Sequence, residues 1–585
     1  MPDRLGSRID VERPGSAQAS PYPLPPRARP AQSPDAEFLS AVPMFAGLAE
    51  PLRRQIAARA THVRVHAGAW LFRQGDAGDS LFVLRSGRLE VVVEEPSEVV
   101  VRVLTRGAVV GELALLTRER RSAAVRARRD SELLRVSSTD FAELLSHEPR
   151  FSLALMRELG RQLRVSRSLE PHDDPRPATI AVVATGSADA RRAAELLHSA
   201  LAQLGTVTLL DEERGGDATL DSAEREHDRV LMLAADPGGA DPWSAFALRQ
   251  ADRVLLVADG APAPGAACPP GCDVLLTGPV SAPLAAEWIA AAAPRAVHWL
   301  RHDAGVHGLA RRLAGRSIGL VLSSGGARGL AHIGVLEELV RAGLVIDRVG
   351  GCSMGAYVGA MFAMGMSPAE IHERCRQEFV ARRPLGDYGV PSHSLLRGER
   401  ARAMLVRTFG DTTIEELPRE FFCVSCDLVS GEQVVHRSGL LAEAVGASMC
   451  LPGVFAPRAR EGMLLVDGGV LDSLPVETMA ATSEGPVVAV DVGRRFERPP
   501  PRRRHRGKPA LPPLKETLAR SIVLGSIDAA KRARGRADVL IEPDTGSCGM
   551  LDFARLDEMV DAGRTAARDD AAYAMLGQHA APALP

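Results

Sequence analysis

Lysine is almost missing from this 585-residue chain: it occurs only as Lys508, Lys515 and Lys531, although Lys and Arg together number 71. Basic residues are therefore nearly all arginine, a bias read as genome composition rather than chemistry. An excess of either charge is missing too. With 73 Asp and Glu the formal net charge is −2, so no global field recruits nucleic acid or steers an acidic substrate, and no nucleic-acid partner is expected. No apolar run approaches the span of a bilayer, and the N-terminus lacks the positive-then-apolar layout of a signal peptide. A cytoplasmic protein is expected, with any membrane contact peripheral and on the inner face. The eight cysteines form no disulfide framework. "CPPGC" (Cys268, Cys272) lies in a Pro/Gly loop with no second ligand pair. "CVSC" (Cys423, Cys426) lies in a strand-like run whose positions i and i+3 face opposite sides, so its thiols do not converge on one metal. Reduced thiols and no metal site are the expectation.

A chain of this length exceeds one hydrophobic core, and about three or four domains are expected. Residues 1–37 are rich in Pro, Ser and Arg without apolar periodicity and read as a disordered segment. Residues 38–168 carry short alternating strands between Gly/Asp turns, as in "FRQGDAGDSLFVLRSGRLEVVVEE", and predict a small β jelly-roll barrel. The helical run "TDFAELLSHEPRFSLALMRELGRQLR" closes it. After the linker "EPHDDPRP" (170–177), residues 176–312 alternate strand and helix and predict an open α/β, Rossmann-like spacer. Its first strand-to-helix turn, "TGSADA", lacks G-x-G-x-x-G, so it reads as a connecting or coupling element rather than a dinucleotide site. A second α/β unit spans 316–545. Within it, 494–513 is a basic, Pro-rich solvated connection that an anionic lipid surface would attract. Residues 546–585 read as a helical, polar tail. The fold class is thus multidomain: barrel with helices, α/β spacer, α/β hydrolase-like unit.

Three strand ends in that last unit carry chemistry. In "VIDRVGGCSMGAYVGAMFAMG", Ser353 stands between Gly351 and Gly355, after a strand-like run and before a helix-like one, the context of a nucleophile elbow. A side chain at either glycine would obstruct the sharp turn or the packing of helix on strand. G-x-S-x-G alone is a weak signal in a glycine-rich chain. The candidate base is Asp467 in "LLVDGGVLDSLPV", which ends an apolar strand before two glycines. His372, His393, His436, His505 and His579 all lack a strand end beside a glycine turn, so a Ser-His-Asp triad finds poor support. The third piece is "SSGGARGLAHIGVLEEL" (323–339), whose glycines at 325, 326 and 329 expose amides at a helix N-terminus. It lacks the G-K-[ST] ending of a nucleotide-phosphate loop.

With "GGARG", "GCSMG" and "DGG" in this order and spacing, the chain resembles the patatin-like phospholipases, as do "ASMCLPGVFAP" (447–457) and "DSLPV" (472–476). The resemblance covers 316–545. It implies a Ser-Asp dyad: Ser353 as nucleophile, Asp467 as general base, and the amides of Gly325, Gly326, Ala327 and Arg328 as oxyanion hole. It implies a phospholipid or lysophospholipid substrate and no required cofactor. Ser324 stands where that family usually has glycine, which makes the start of the loop less free.

In the barrel, "GELALLTRERRSAAVRA" (111–127) sets Gly111 and Glu112 ten residues before Arg121 and Ser122. An arginine beside free amides and a hydroxyl suits a phosphate, and a carboxylate suits a ribose hydroxyl. The segment resembles the cyclic-nucleotide-binding domain. That implies Arg121 and Ser122 at the phosphate, Glu112 at the ribose, and cAMP or cGMP as regulatory ligand; a barrel that keeps the shape and binds nothing is the alternative. Barrel, spacer and hydrolase in this order resemble the neuropathy target esterase group of lysophospholipases, which often carries several barrels and a membrane anchor, where one barrel and no anchor are read here. The expected activity is hydrolysis of phospholipid or lysophospholipid acyl esters. A broad-specificity esterase and a silent nucleotide-sensing scaffold remain as alternatives.

Overall fold

The computed structural model describes residues 34–94, 98–157, 178–263, 268–269, 271–279, 281–300, 303–389, 393–493, 524–568 and 576. The linker at 170–177, the basic loop at 494–513 and the first 33 residues of the segment read as disordered lie outside these. The chain divides into two compact units, one from 1–183 and 208–254, the other from 184–207 and 255–585.

In the first unit, strand Ser80–Val93 lies between Ala124–Ser137 and Val99–Leu104, antiparallel to both, and Thr61–Val65 continues the sheet beyond Ala124–Ser137. Val63, Leu71, Phe82, Leu89, Leu104 and Leu133 fill its interior. The helix Pro34–Ala41 begins inside the segment read as disordered. Proline opens it and Asp35 and Glu37 occupy its first turn, both favourable at a helix start. Phe38 and Leu39 then anchor it in a cluster with Phe45, Phe141 and Phe151. The spacer's elements alternate as expected. Strands Thr179–Ala184 and Arg229–Ala234 pair in parallel in the first unit. In the second, Arg253–Ala258, Asp273–Leu276 and Ala296–Trp299 do likewise.

The second unit is built on a mixed eight-stranded sheet in the order Arg458–Arg460, Met463–Asp467, Glu420–Asp427, Ile346–Cys352, Ile318–Leu322, Val487–Val490, Val539–Ile541, with Gln433–His436 beside Glu420–Asp427. Both faces are covered. Leu320, Leu322 and Val349 pack under the helices Ala331–Arg341 and Met354–Ala363, while Val321, Phe422 and Val424 pack with Val476, Met479 and Ala533 on the other side. Strands buried on both faces read as continuous apolar runs, which is how these stretches appear in the sequence.

Of the segment read as a helical tail, the described residues include the helix Leu556–Ala566, and it is packed. Helix Leu556–Ala566 lies against Ala331–Arg341 at a glycine crossing: a Cβ on Gly334 would stand 1.9 Å from the Val560 oxygen, and one on Gly563 1.9 Å from that of Ala331. Only glycine permits backbones to approach so closely.

Candidate active site

Strands Ile318–Leu322 and Ile346–Cys352 are parallel neighbours, so the glycine-rich loop and Ser353 leave the sheet at the same edge. Asp467 arrives there from the opposite direction. Its strand runs antiparallel to Glu420–Asp427, starting beyond the edge and stopping with Asp467 opposite Ser425. Cys352 is level with Val424 one residue earlier, so the register sets Ser353 and Asp467 at one height, either side of Ser425.

Ser353 has φ +55° and ψ −119°, a conformation that disfavours a side chain. Its amide donates to Ser448 Oγ at 2.9 Å, and its carbonyl accepts from the Tyr357 amide at 3.0 Å, holding the turn. Both flanking glycines are required by close approach. A Cβ on Gly351 would stand 2.6 Å from the Gly355 carbonyl carbon, and one on Gly355 2.2 Å from the Leu322 oxygen. Ser448 was not singled out from the sequence; the small hydroxyl residue at the end of the "GASM" helical run was the available signal.

The Ser353 hydroxyl lies near enough to the Asp467 carboxylate to favour its charged form, and both side chains line one cavity. Asp467 is buried, and its Oδ1 accepts from the Gly469 amide at 2.9 Å and from the Cys352 thiol at 3.7 Å. Burial pushes the carboxyl up from its ordinary 3.8 to about 6, against the opposing pull of Ser353, Gly469 and Cys352. The Cys352 thiol is itself pushed well up by burial and by the neighbouring carboxylate, so it remains a neutral donor. A serine on a strained turn, beside a buried carboxylate of raised basicity, is chemically equipped for attack on an ester.

In the glycine-rich loop, Gly326 has φ +57° and leaves no room for a side chain, since a Cβ there would fall 2.3 Å from the Met550 oxygen. Ser324, Gly325, Gly326 and Arg328 line one cavity with Ser353 and Asp467. Ala327 departs from the expected donor set: its amide donates to the Met550 carbonyl at 2.8 Å, because the C-terminal segment crosses under the loop. Ser324, the departure noted in the sequence, is held by its amide, which donates to the Ser473 oxygen at 2.8 Å. His332 braces the loop from below with Nε2 2.9 Å from the Ser323 oxygen, and burial pushes its imidazole down to about 4.

The cavity measures about 660 Å³, within the range of roughly 300–1,000 Å³ of small-molecule pockets. Phe379, Met404, Leu405, Val454, Phe455 and Phe553 give it apolar walls, and none of the described histidines lines it. Val454 and Phe455 belong to the family-like stretch at 447–457, while Phe379, Met404, Leu405 and Phe553 come from distant segments that carry no motif.

In the barrel, the structure brings Gly111, Glu112, Arg121 and Ser122 together. Gly111 has φ +87° and starts the helix Glu112–Thr117. The buried Arg121 guanidinium donates to the oxygens of Gly111 at 2.9 Å and Ser80 at 2.8 Å and lies 4.3 Å over the Phe72 ring. Its Nε is buried without a hydrogen-bond partner among the described residues. Glu112 is buried beside it, and Ser122 is exposed.

Residues 320–480 match the family model of the patatin-like phospholipases, and residues 62–148 that of the cyclic nucleotide-binding domain. An uncharacterised NTE family protein of Mycobacterium bovis is 37% identical over 562 residues, covering 90% of this chain and 94% of its own. The lysophospholipase nte1 of Aspergillus fumigatus is 28% identical over 627 residues, covering 86% of this chain and 41% of the fungal one. The patatin-like phospholipase domain-containing protein 6 of Pongo abelii is 29% identical over 545 residues, covering 78% and 40%.

Proposed function

The chain belongs to the NTE family, and on that premise we propose that it hydrolyses acyl esters of phospholipids or lysophospholipids, with Ser353 as nucleophile and Asp467 as general base. The observation that carries the reading is the juxtaposition of the two at one height of the sheet and in one cavity, with a carboxyl that burial has lifted to about 6. Ser353 Oγ attacks the ester carbonyl as Asp467 takes its proton. The amides of Gly325, Gly326 and Arg328 hold the charge on the carbonyl oxygen. The bond to the alcohol then breaks, the alcohol leaving with the proton from Asp467. Water attacks the acyl-enzyme with Asp467 again as base, releasing fatty acid and restoring Ser353.

A lipid substrate suits the apolar walls and the exposed Leu440, Val406 and Leu551, which also line the cavity and present an apolar rim to a lipid surface. No helix among the described residues is long and apolar enough to cross a membrane; on the strength of the apolar rim, the encounter is proposed to be peripheral, at the cytoplasmic face. The test is fatty-acid release from micellar lysophosphatidylcholine and from short, monomeric esters. The expected result is a kcat/KM that rises with the lipid interface. Equal rates on both favour a general esterase, and no release from either leaves only a silent scaffold.

For the barrel we propose a cyclic nucleotide as regulatory ligand, its phosphate held by Arg121 and Ser122 and its ribose by Glu112. The Arg121 guanidinium, whose Nε has no partner among the described residues, lies against the Gly111 turn that opens a helix, and this supports an anion there. Titration calorimetry of the full chain should show cAMP or cGMP binding that Arg121→Gln weakens by about 10- to 100-fold. Silence toward both nucleotides removes the ligand.

A further inference from the structure

Several buried or half-buried arginines in the second unit sit in ion pairs, Arg311 with Asp347 at 2.6 Å, Arg312 with Glu484 at 2.7 Å and Arg295 with Asp273 at 2.8 Å, and Arg419 donates instead to the oxygens of Ile346 and Phe362. Arg458 is different. It opens the strand Arg458–Arg460 and pairs in register with Leu465, which precedes Asp467 by two and so shares its face of the sheet. Its half-buried side chain lines the cavity that contains Ser353 and Asp467. The guanidinium lies so close to the helix Leu441–Ser448 that a Cβ on Gly446 would fall 2.5 Å from its central carbon. Among the described residues no ion pair and no side-chain hydrogen bond reaches it. Glu443, also lining the cavity, attracts it from beyond ion-pair distance, and Arg402, on the helix Glu399–Phe409, repels it. Burial accordingly holds it below the usual arginine range.

A guanidinium that faces a cavity without an anion beside it is open to donate charge-assisted hydrogen bonds to an anionic group on a ligand. With the ester carbonyl at Ser353, the acyl chain offers no charge. In a glycerophospholipid the phosphate sits on the alcohol side, one glycerol away from the ester. The planar fork of arginine matches phosphate oxygens in pairs. We propose that Arg458, assisted by Arg402, binds the substrate's phosphate and thereby selects phosphate-bearing acyl esters over neutral ones. This rests on reading the cavity as an ester-hydrolase site.

The experiment compares kcat/KM on monomeric lysophosphatidylcholine and on the monoacylglycerol of the same acyl chain, for the full-length wild type, Arg458→Met and Arg458→Lys. The methionine variant should lower the ratio of the two values by about 10- to 100-fold, chiefly through KM on the lysophospholipid, with the lysine variant intermediate. A parallel loss on both substrates makes Arg458 a packing residue beside Gly446 and overturns the proposal, as does an unchanged ratio. Competition by inorganic phosphate with an unchanged ratio assigns the site to free phosphate and also overturns it. A wild type inert toward both esters overturns the hydrolase reading, and the proposal falls with it.

Discussion

Ser353→Ala is expected to lower kcat for ester hydrolysis by about 10⁴- to 10⁶-fold while leaving the melting temperature nearly unchanged. The variant removes the attacking oxygen and nothing that builds the elbow. The turn is held by the Ser353 amide on Ser448 and its carbonyl on Tyr357, and alanine at φ +55° is strained about as serine is. What the hydroxyl gives up is its favourable influence on the Asp467 carboxylate. Steady-state kinetics with a coupled thermal melt check this. Substantial activity in a folded variant would move the nucleophile elsewhere.

Asp467→Asn carries the second large effect, and it has two sides. Activity should fall by about 10⁴-fold, because asparagine cannot take the serine proton. In the wild type the base must be ionised, so kcat/KM should rise with pH through a midpoint near 6, where burial has placed the carboxyl. Stability moves the other way. Well below pH 4 the carboxyl is protonated in the folded and unfolded chains alike and makes no difference. As pH rises from the unfolded value of 3.8 through the folded value of about 6, the unfolded chain ionises more readily, and the fold loses up to about 3 kcal/mol. Asparagine carries no charge to desolvate. The variant should therefore melt higher than the wild type at pH 8, with the advantage fading toward pH 4. Equal melting at both pH values, or an activity limb near pH 4, would contradict a buried, elevated carboxyl.

What was legible in the sequence was whatever one peptide segment dictates by itself. Gly351 and Gly355 are glycine because the backbones of Gly355 and Leu322 pass within contact, and such a restriction is visible as a residue type. The Asp-Gly-Gly turn is of the same kind: a Cβ on Gly468 would fall 2.5 Å from the Val424 oxygen. Barrel, spacer and α/β unit were legible because period-two and helical patterns are local too. What depends on chain path was hidden. Ala327 looked like an oxyanion donor until the segment at Met550, more than 200 residues later, took its amide. The antiparallel run of the Asp467 strand, the Ser448 anchor and the cavity walls at Phe379 and Phe553 arise the same way, from segments that meet only on folding. The helix Pro34–Ala41 was missed because one turn of capping signal followed a long polar, proline-rich stretch.

The central claim is the pairing of Ser353 with Asp467, and the most direct measurement of it is the rate at which a fluorophosphonate ester modifies the protein, with the modified peptide located by mass spectrometry. The account predicts a single adduct on Ser353 in the wild type and labelling slowed by orders of magnitude in Asp467→Asn. An adduct on another residue, or an Asp467→Asn variant labelled at the wild-type rate, would contradict it.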